Sequence, residues 1–181
     1  MPESQSQNFN HLKIHTQYSI CEGAARIDDL QEYSKKNKIK SLGLCDTANL
    51  CGALEFSEKI SKSGTQPIIG TQINFKIGEI TGLIPLFALN EDGYKNIIEL
   101  SSYSYLENDK LSDPHVNFEL LLNKSKGVAV FSGTVFGLFG KLFDKGKFTE
   151  IHDLYNKIKS KFEDRFYIEI QRHKDLNENS F

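Results

Sequence analysis

Short apolar runs alternate along the chain with stretches whose apolar residues recur every three or four positions. His11–Thr16, Ser41–Asp46, Pro67–Ile77, Leu83–Leu89, Val128–Phe131 and Phe166–Ile170 read as strands bounded by turn-forming residues. A turn around Gly78 and Gly82 separates the third run from the fourth, and the two form either a local hairpin or part of a parallel unit. Helical periodicity fills the intervals. Arg26–Lys38 sets Ile27, Leu30 and Tyr33 on one side, and the stretch from Leu50 to Ser63 sets Leu50, Leu54 and Ile60 on a buried face, with Gly64 as its stop. Glu91–Tyr105 takes Asn90 as N-cap and turns Ile97, Leu100 and Ser104 to one face. Glu107–Pro114 is loop by composition, Asn117–Asn123 starts a short helix, and Val135–Phe143 is a short helix or turn. Thr149–Phe162 carries Ile151, Leu154, Tyr155 and Ile158 at helical spacing.

This alternation predicts an α/β fold with a mainly parallel sheet. Periodicity alone does not choose between a barrel and an open sheet. Residues 1–10 are polar and read as a flexible lead-in, and residues 11–181 as one domain. A chain of this length buries about 70% of its unfolded surface.

Charge narrows the partners little. There are 22 basic and 24 acidic residues, a net charge of −2, so no global field holds a nucleic acid. The clusters Lys35-Lys36-Asn-Lys38 and Lys157-Ile-Lys159-Ser-Lys161 read as solvated helix faces. Cys21, Cys45 and Cys51 lack zinc-type spacing and read as reduced packing residues. No signal peptide or membrane-length apolar run is present, which suits a cytoplasmic protein with no membrane partner. Nucleophile-elbow, P-loop and dinucleotide fingerprints are missing, and Phe131-Ser-Gly-Thr-Val-Phe-Gly137 reads as a turn between strand and helix.

Two runs carry more. His11-Leu-Lys-Ile-His-Thr-Gln-Tyr-Ser-Ile-Cys-Glu-Gly23 and Leu44-Cys-Asp-Thr-Ala-Asn-Leu-Cys-Gly52 each end an apolar strand in polar residues and lead toward a helix. Pro67-Ile-Ile-Gly70, Leu86-Phe-Ala-Leu-Asn-Glu-Asp-Gly-Tyr-Lys-Asn96, Gly127-Val-Ala-Val-Phe-Ser-Gly133 and Arg165-Phe-Tyr-Ile-Glu-Ile-Gln-Arg172 follow in order. Together they resemble the PHP (polymerase and histidinol phosphatase) domain, in the version that opens the alpha subunit of bacterial DNA polymerase III. The resemblance implies a distorted β/α barrel. Members of that family continue with another helix and strand, so it also implies a barrel incomplete at its C-terminal end, lacking the last βα unit.

Active members hold divalent metals at the barrel mouth with His, Asp, Glu and sometimes Cys, and the metal activates water against phosphorus. At the matching positions this chain keeps His15 and Glu22. Lys13 stands in place of a His, Thr47 of a His, Gln72 of an acid, Leu83 of a His and Thr134 of a Cys. An ammonium about 4 Å from a unit positive charge costs about 4 kcal/mol at an effective dielectric of about 20, and a dication doubles that. The resemblance therefore implies vestigial metal-site positions, no catalytic residue and no metal. Plain structural roles suit the survivors: His15 hydrogen-bonded, as to Asp46; Glu22 capping the next helix or paired with Lys13; Asp46 accepting from the turn after its strand. Glu169 and His173 read as surface or salt-bridge residues, and His115 and His152 as exposed.

By the same resemblance the parent protein is a template-directed DNA polymerase of the bacterial cytoplasm, using magnesium in a domain far downstream. This segment, with no cofactor of its own, would be a scaffold for the rest of the alpha subunit and a docking surface for the proofreading exonuclease subunit, with DNA held through the parent. The alternatives are a metal-dependent PHP phosphoesterase or built-in proofreading nuclease, and a free-standing interaction module.

Overall fold

Two-residue alternation in the strands sorts their side chains onto two faces, and each face builds a core. In the computed structural model, which describes residues 9–108 and 112–171, the strands are β1 (Ser41–Thr47), β2 (Gln66–Ile77), β3 (Ile80–Ala88), β4 (Val116–Asn117), β5 (Val128–Phe131) and β6 (Phe166–Tyr167). They form one six-stranded sheet in the order β1-β2-β3-β5-β6, with β4 against the far end of β2. The helices are α1 (Ile27–Asn37), α2 (Ala53–Lys62), α3 (Glu91–Leu106), α4 (Phe118–Asn123), α5 (Leu138–Asp144) and α6 (Phe148–Phe162). No helix among the described residues is long and apolar enough to cross a membrane.

Leu44 on β1 packs with Ile27 of α1 and with Phe56 and Ile60 of α2. Leu86, Val128 and Val130 join Ile97, Leu100, Leu138, Leu154 and Ile158 in a larger cluster. Each fully buried Phe, Leu or Ile there contributes about 1.5–3 kcal/mol. The intervening residues Cys45, Phe87 and Ala129 turn to the other face and meet one another, with Phe131 and Leu12 against them. Tyr167 closes on Phe131 edge-on at 5.5 Å. These are neighbours in one row across the sheet, Cys45 reaching Phe87 over Gly70; the curl that a distorted barrel requires shows where Lys13, beside β1, meets Glu169, beyond β6. Gly70 belongs to this interior: a Cβ there would lie 2.4 Å from the Phe87 ring.

The sheet is mixed, with β3 antiparallel to both β2 and β5 while β1-β2 and β5-β6 are parallel. The mainly parallel expectation fails because a tight turn at Gly78-Glu79, not a helical crossover, joins β2 to β3. Gly82 lies inside β3 and not in that turn. His11–Thr16 is extended beside β1 but makes only isolated bridges, Ile14 to Leu44 and Thr16 to Ala25, with no continuous ladder. The last strand pairs over Phe166–Tyr167 alone and not to Ile170.

Helix extents match the sequence periodicity better than their faces do. Ser34, not Tyr33, is buried on α1, and Tyr33 is exposed. Ala53, Phe56 and Ile60 face inward on α2, whereas Leu54 is 74% exposed. In both cases the apolar stripe tracks the side covering Leu44, not the side richest in large residues. Asn90 caps α3 by accepting from the Gly93 amide at 3.0 Å, with Ile97, Leu100 and Ser104 buried as the spacing predicts. Lys38 ends α1 in the left-handed conformation, φ 51°. A side chain costs about 1–2 kcal/mol there, where glycine costs nothing.

Gly43 lets the first segment dock: the Gly43 amide donates to the His11 carbonyl at 2.7 Å, and a Cβ would sit 2.1 Å from the Leu12 carbonyl oxygen. Gly43→Ala is therefore expected to lower stability by about 1–3 kcal/mol, read by urea denaturation. Hydrogen exchange should rise first in residues 11–16.

Candidate functional site

The carboxyl ends of β1 and β5 open onto a cleft of about 370 Å³. Lys13, His15, Glu22, Gln72, Leu83, Thr134, Phe136 and Gln171 line it, with Gly133 and Gly137 at its floor. Thr47 adjoins through Gln72. All seven positions singled out in the sequence thus converge, although they come from six different segments of the chain.

The turn between the first segment and α1 is held by Asp46. Its carboxylate, fully buried at the end of β1, accepts from the Thr16 amide at 2.6 Å, the Thr16 hydroxyl at 2.8 Å and the Ser19 hydroxyl at 2.6 Å. It serves the turn after the first segment, not the turn after its own strand; there the Thr47 amide donates to the Ser19 hydroxyl oxygen at 3.1 Å. His15 does not bond Asp46, because Thr16 and Ser19 supply its donors. The His15 Nδ1 atom is buried without a partner.

Glu22 neither caps a helix nor pairs with Lys13. It accepts from the Thr47 hydroxyl, and Thr47 in turn accepts from the Gln72 amide nitrogen at 2.8 Å. Lys13 instead reaches across the curl of the sheet to Glu169, with Nζ to Oε1 at 3.2 Å and both side chains less than a sixth exposed, at 15% and 11%. Gln171 donates to the same carboxylate at 2.7 Å, and the Glu169 amide donates to the Ser132 hydroxyl oxygen at 2.9 Å. Glu169 takes the salt-bridge role that the sequence suggested, whereas Gln171 and Phe136 were missed as cleft residues. The alternation Tyr167, Glu169, Gln171 beyond β6 is the signal that locates Gln171. His173 lies outside the described residues; His152 is exposed beside Asn156 as expected, whereas His115 is half-buried, its ring against the Asp113 carbonyl and its own carbonyl accepting from the Asn108 amide.

Beside the cleft, the Tyr18 hydroxyl donates to Glu55 at 2.8 Å. Lys59 and that hydroxyl hold the Glu55 carboxyl below the usual range, and Glu55 pushes the Tyr18 phenol up. Cys45 is buried in the inner core and burial pushes its thiol up, but Cys21 and Cys51 are exposed, so they are not packing residues. Both sit in the polar turns beside the cleft, where no apolar surface covers them. An aromatic disulfide reagent at about pH 8 should modify Cys21 and Cys51 in the folded protein, and Cys45 only after denaturation.

Among the described residues, no group of three or more His, Cys, Asp or Glu side chains is placed to hold a metal ion. The cleft holds a cation of its own, Lys13, and two hydrogen-bonded networks that tie the first segment to β1, to β2 and to the chain beyond β6.

The PHP domain model matches residues 11–173. The DNA polymerase III subunit alpha of Caulobacter vibrioides is 36% identical over 186 residues, covering 96% of this chain and 16% of that protein. Its counterpart from Rickettsia felis is 36% identical over 174 residues, covering 96% and 14%, and that from Borreliella burgdorferi is 33% identical over 176, covering 91% and 15%. The chain thus spans about a sixth of the length of these curated relatives.

Removing Lys13 leaves the Glu169 carboxylate without its ion partner. Lys13→Met is expected to cost about 3 kcal/mol in urea denaturation. The Lys13→Met/Glu169→Leu double variant should recover most of that loss, because no unpaired charge remains.

Proposed function

We infer the function from one premise: the chain belongs to the PHP domain family, and its curated relatives are DNA polymerase III alpha subunits. We propose that this segment is the PHP region of such a subunit and works as a non-catalytic scaffold. The observation that carries the reading is the ammonium of Lys13 inside the cleft, paired with Glu169. A divalent ion placed there would meet a fixed positive charge. It would also have to take Glu22 from Thr47, while Gln72 and Thr134 offer only neutral oxygens and Leu83 offers none. The donor set does not fit a metal cluster, so no hydrolytic step is assigned.

The networks suit a structural role instead. Gln72, Thr47 and Glu22 connect by hydrogen bonds what metal ions would otherwise bridge. The scaffold would support the remainder of the alpha subunit and offer a face to the proofreading exonuclease subunit, while magnesium-dependent nucleotide transfer and the main DNA-binding surfaces belong to the parent polymerase in the bacterial cytoplasm.

Titration of the chain with Mn²⁺ or Zn²⁺ should show no stoichiometric binding by calorimetry, and phosphatase turnover should stay at background. Metal-dependent turnover abolished by His15→Ala would sink the reading and restore the phosphoesterase alternative. Co-elution with a proofreading exonuclease subunit on size exclusion is the expected positive result, and separate elution at concentrations of about 50 μM would remove the docking role.

A further inference from the structure

At the end of the sheet opposite the cleft, the amino ends of β1 and β2 gather lysines from three places in the sequence. Lys35 and Lys36 lie in the last turn of α1, Lys38 caps it, Lys40 leads into β1, and Lys62 closes α2. Backbone and side-chain bonds hold these pieces together: the Gln66 amide donates to the Lys40 carbonyl at 2.9 Å, and the Thr65 hydroxyl donates to the Ile39 carbonyl at 2.8 Å. All five lysines are exposed.

Their lack of partners, shared among the described lysines only with the scattered Lys76, Lys145 and Lys161, separates them from most of the others. Lys59, Lys95, Lys124, Lys126, Lys147 and Lys157 each reach a carboxylate. Lys157, from the second lysine run, is thereby paired with Glu119 on the solvated face of its helix. Among the described residues, the side chains of Lys35, Lys36, Lys38, Lys40 and Lys62 make no ion pair or hydrogen bond. Only Glu32 and Glu58 lie within one helical turn of them on α1 and α2, and neither closes an ion pair. Helix dipoles favour lysines at Lys35, Lys36 and Lys62. They do not account for Lys40, which is outside any helix, nor for Lys38, which holds a left-handed position better suited to glycine.

We propose that this lysine end is a surface for the phosphate backbone of duplex DNA, binding without sequence preference. Flexible ammonium groups presented as point charges fit phosphates, and a single exposed ring beside them, Tyr33 on α1, does not make the row of aromatic platforms that single-strand stacking uses. The surface itself stands on the placement of the lysines, whereas the choice of DNA over another polyanion rests on the polymerase reading above.

The test is fluorescence anisotropy of the 181-residue chain with a labelled duplex of about 30 base pairs, followed over about 25 to 200 mM KCl. Replacing the five lysines by Gln should weaken binding at least about tenfold at low salt and flatten the log–log salt slope by about 0.9 for each phosphate no longer neutralised. A control with Lys76, Lys145 and Lys161 changed to Gln, also unpaired lysines but remote from this end, should stay within about twofold. Equal weakening in the control, or no binding by the unaltered chain at the lowest salt, overturns the surface. Displacement of the duplex by polyglutamate as readily as by unlabelled DNA overturns the choice of DNA. Neither result bears on the metal and exonuclease measurements, which test the scaffold reading separately.

Discussion

A buried carboxylate needs donors, and satisfying Asp46 sets much of the cleft. Hydrogen bonds to a charged group contribute about 1.5–3 kcal/mol each, and leaving such a group unpaired in the interior costs more than that. The Thr16 amide and the Thr16 and Ser19 hydroxyls meet the requirement, which pins the turn after the first segment onto the end of β1. With that turn in place, Glu22 comes to the Thr47 hydroxyl and His15 faces the cleft. The site's walls are therefore positioned by a residue that does not line it.

The second constraint is the curl of the sheet. Phe87 and Ala129 are direct partners on β3 and β5, and Cys45 of β1 meets them over Gly70 of β2, which has no side chain to intervene. The Lys13–Glu169 pair bridges the first segment and the chain beyond β6, neighbours that no backbone ladder joins. Partial burial makes that pair sensitive in one direction: losing one partner strands a charge, while losing both leaves apolar surface that can pack. In this chain an ammonium and a carboxylate draw these two segments together.

The two ends of the sheet consequently differ in kind. At the carboxyl ends of β1 and β5, the charges of Lys13 and Glu169 are paired and partly enclosed. At the amino ends of β1 and β2, five lysines stand unpaired in solvent. A net charge of −2 hides this separation, because a sum over the chain carries no information about where the charges lie.

Much was legible from the residues in order. The extent of β1 and β5, the Asn90 cap and the Ile97, Leu100 and Ser104 face all follow from local pattern, since caps and periodicity act within a few residues. The side of α2 that is buried did not follow, because Ala53 and Phe56 rather than Leu54 happen to cover Leu44, and that depends on where α1 lies. Partner choice was equally out of reach: Lys13 takes Glu169, 156 residues away, and not the nearby Glu22, because the curl brings the far segment closer than the near one. Order along the chain was enough for the elements, the family and the chemistry available at each position. Which of those groups meet was settled only in three dimensions, since pairings across the sheet depend on its curvature and strand order, which no local pattern encodes.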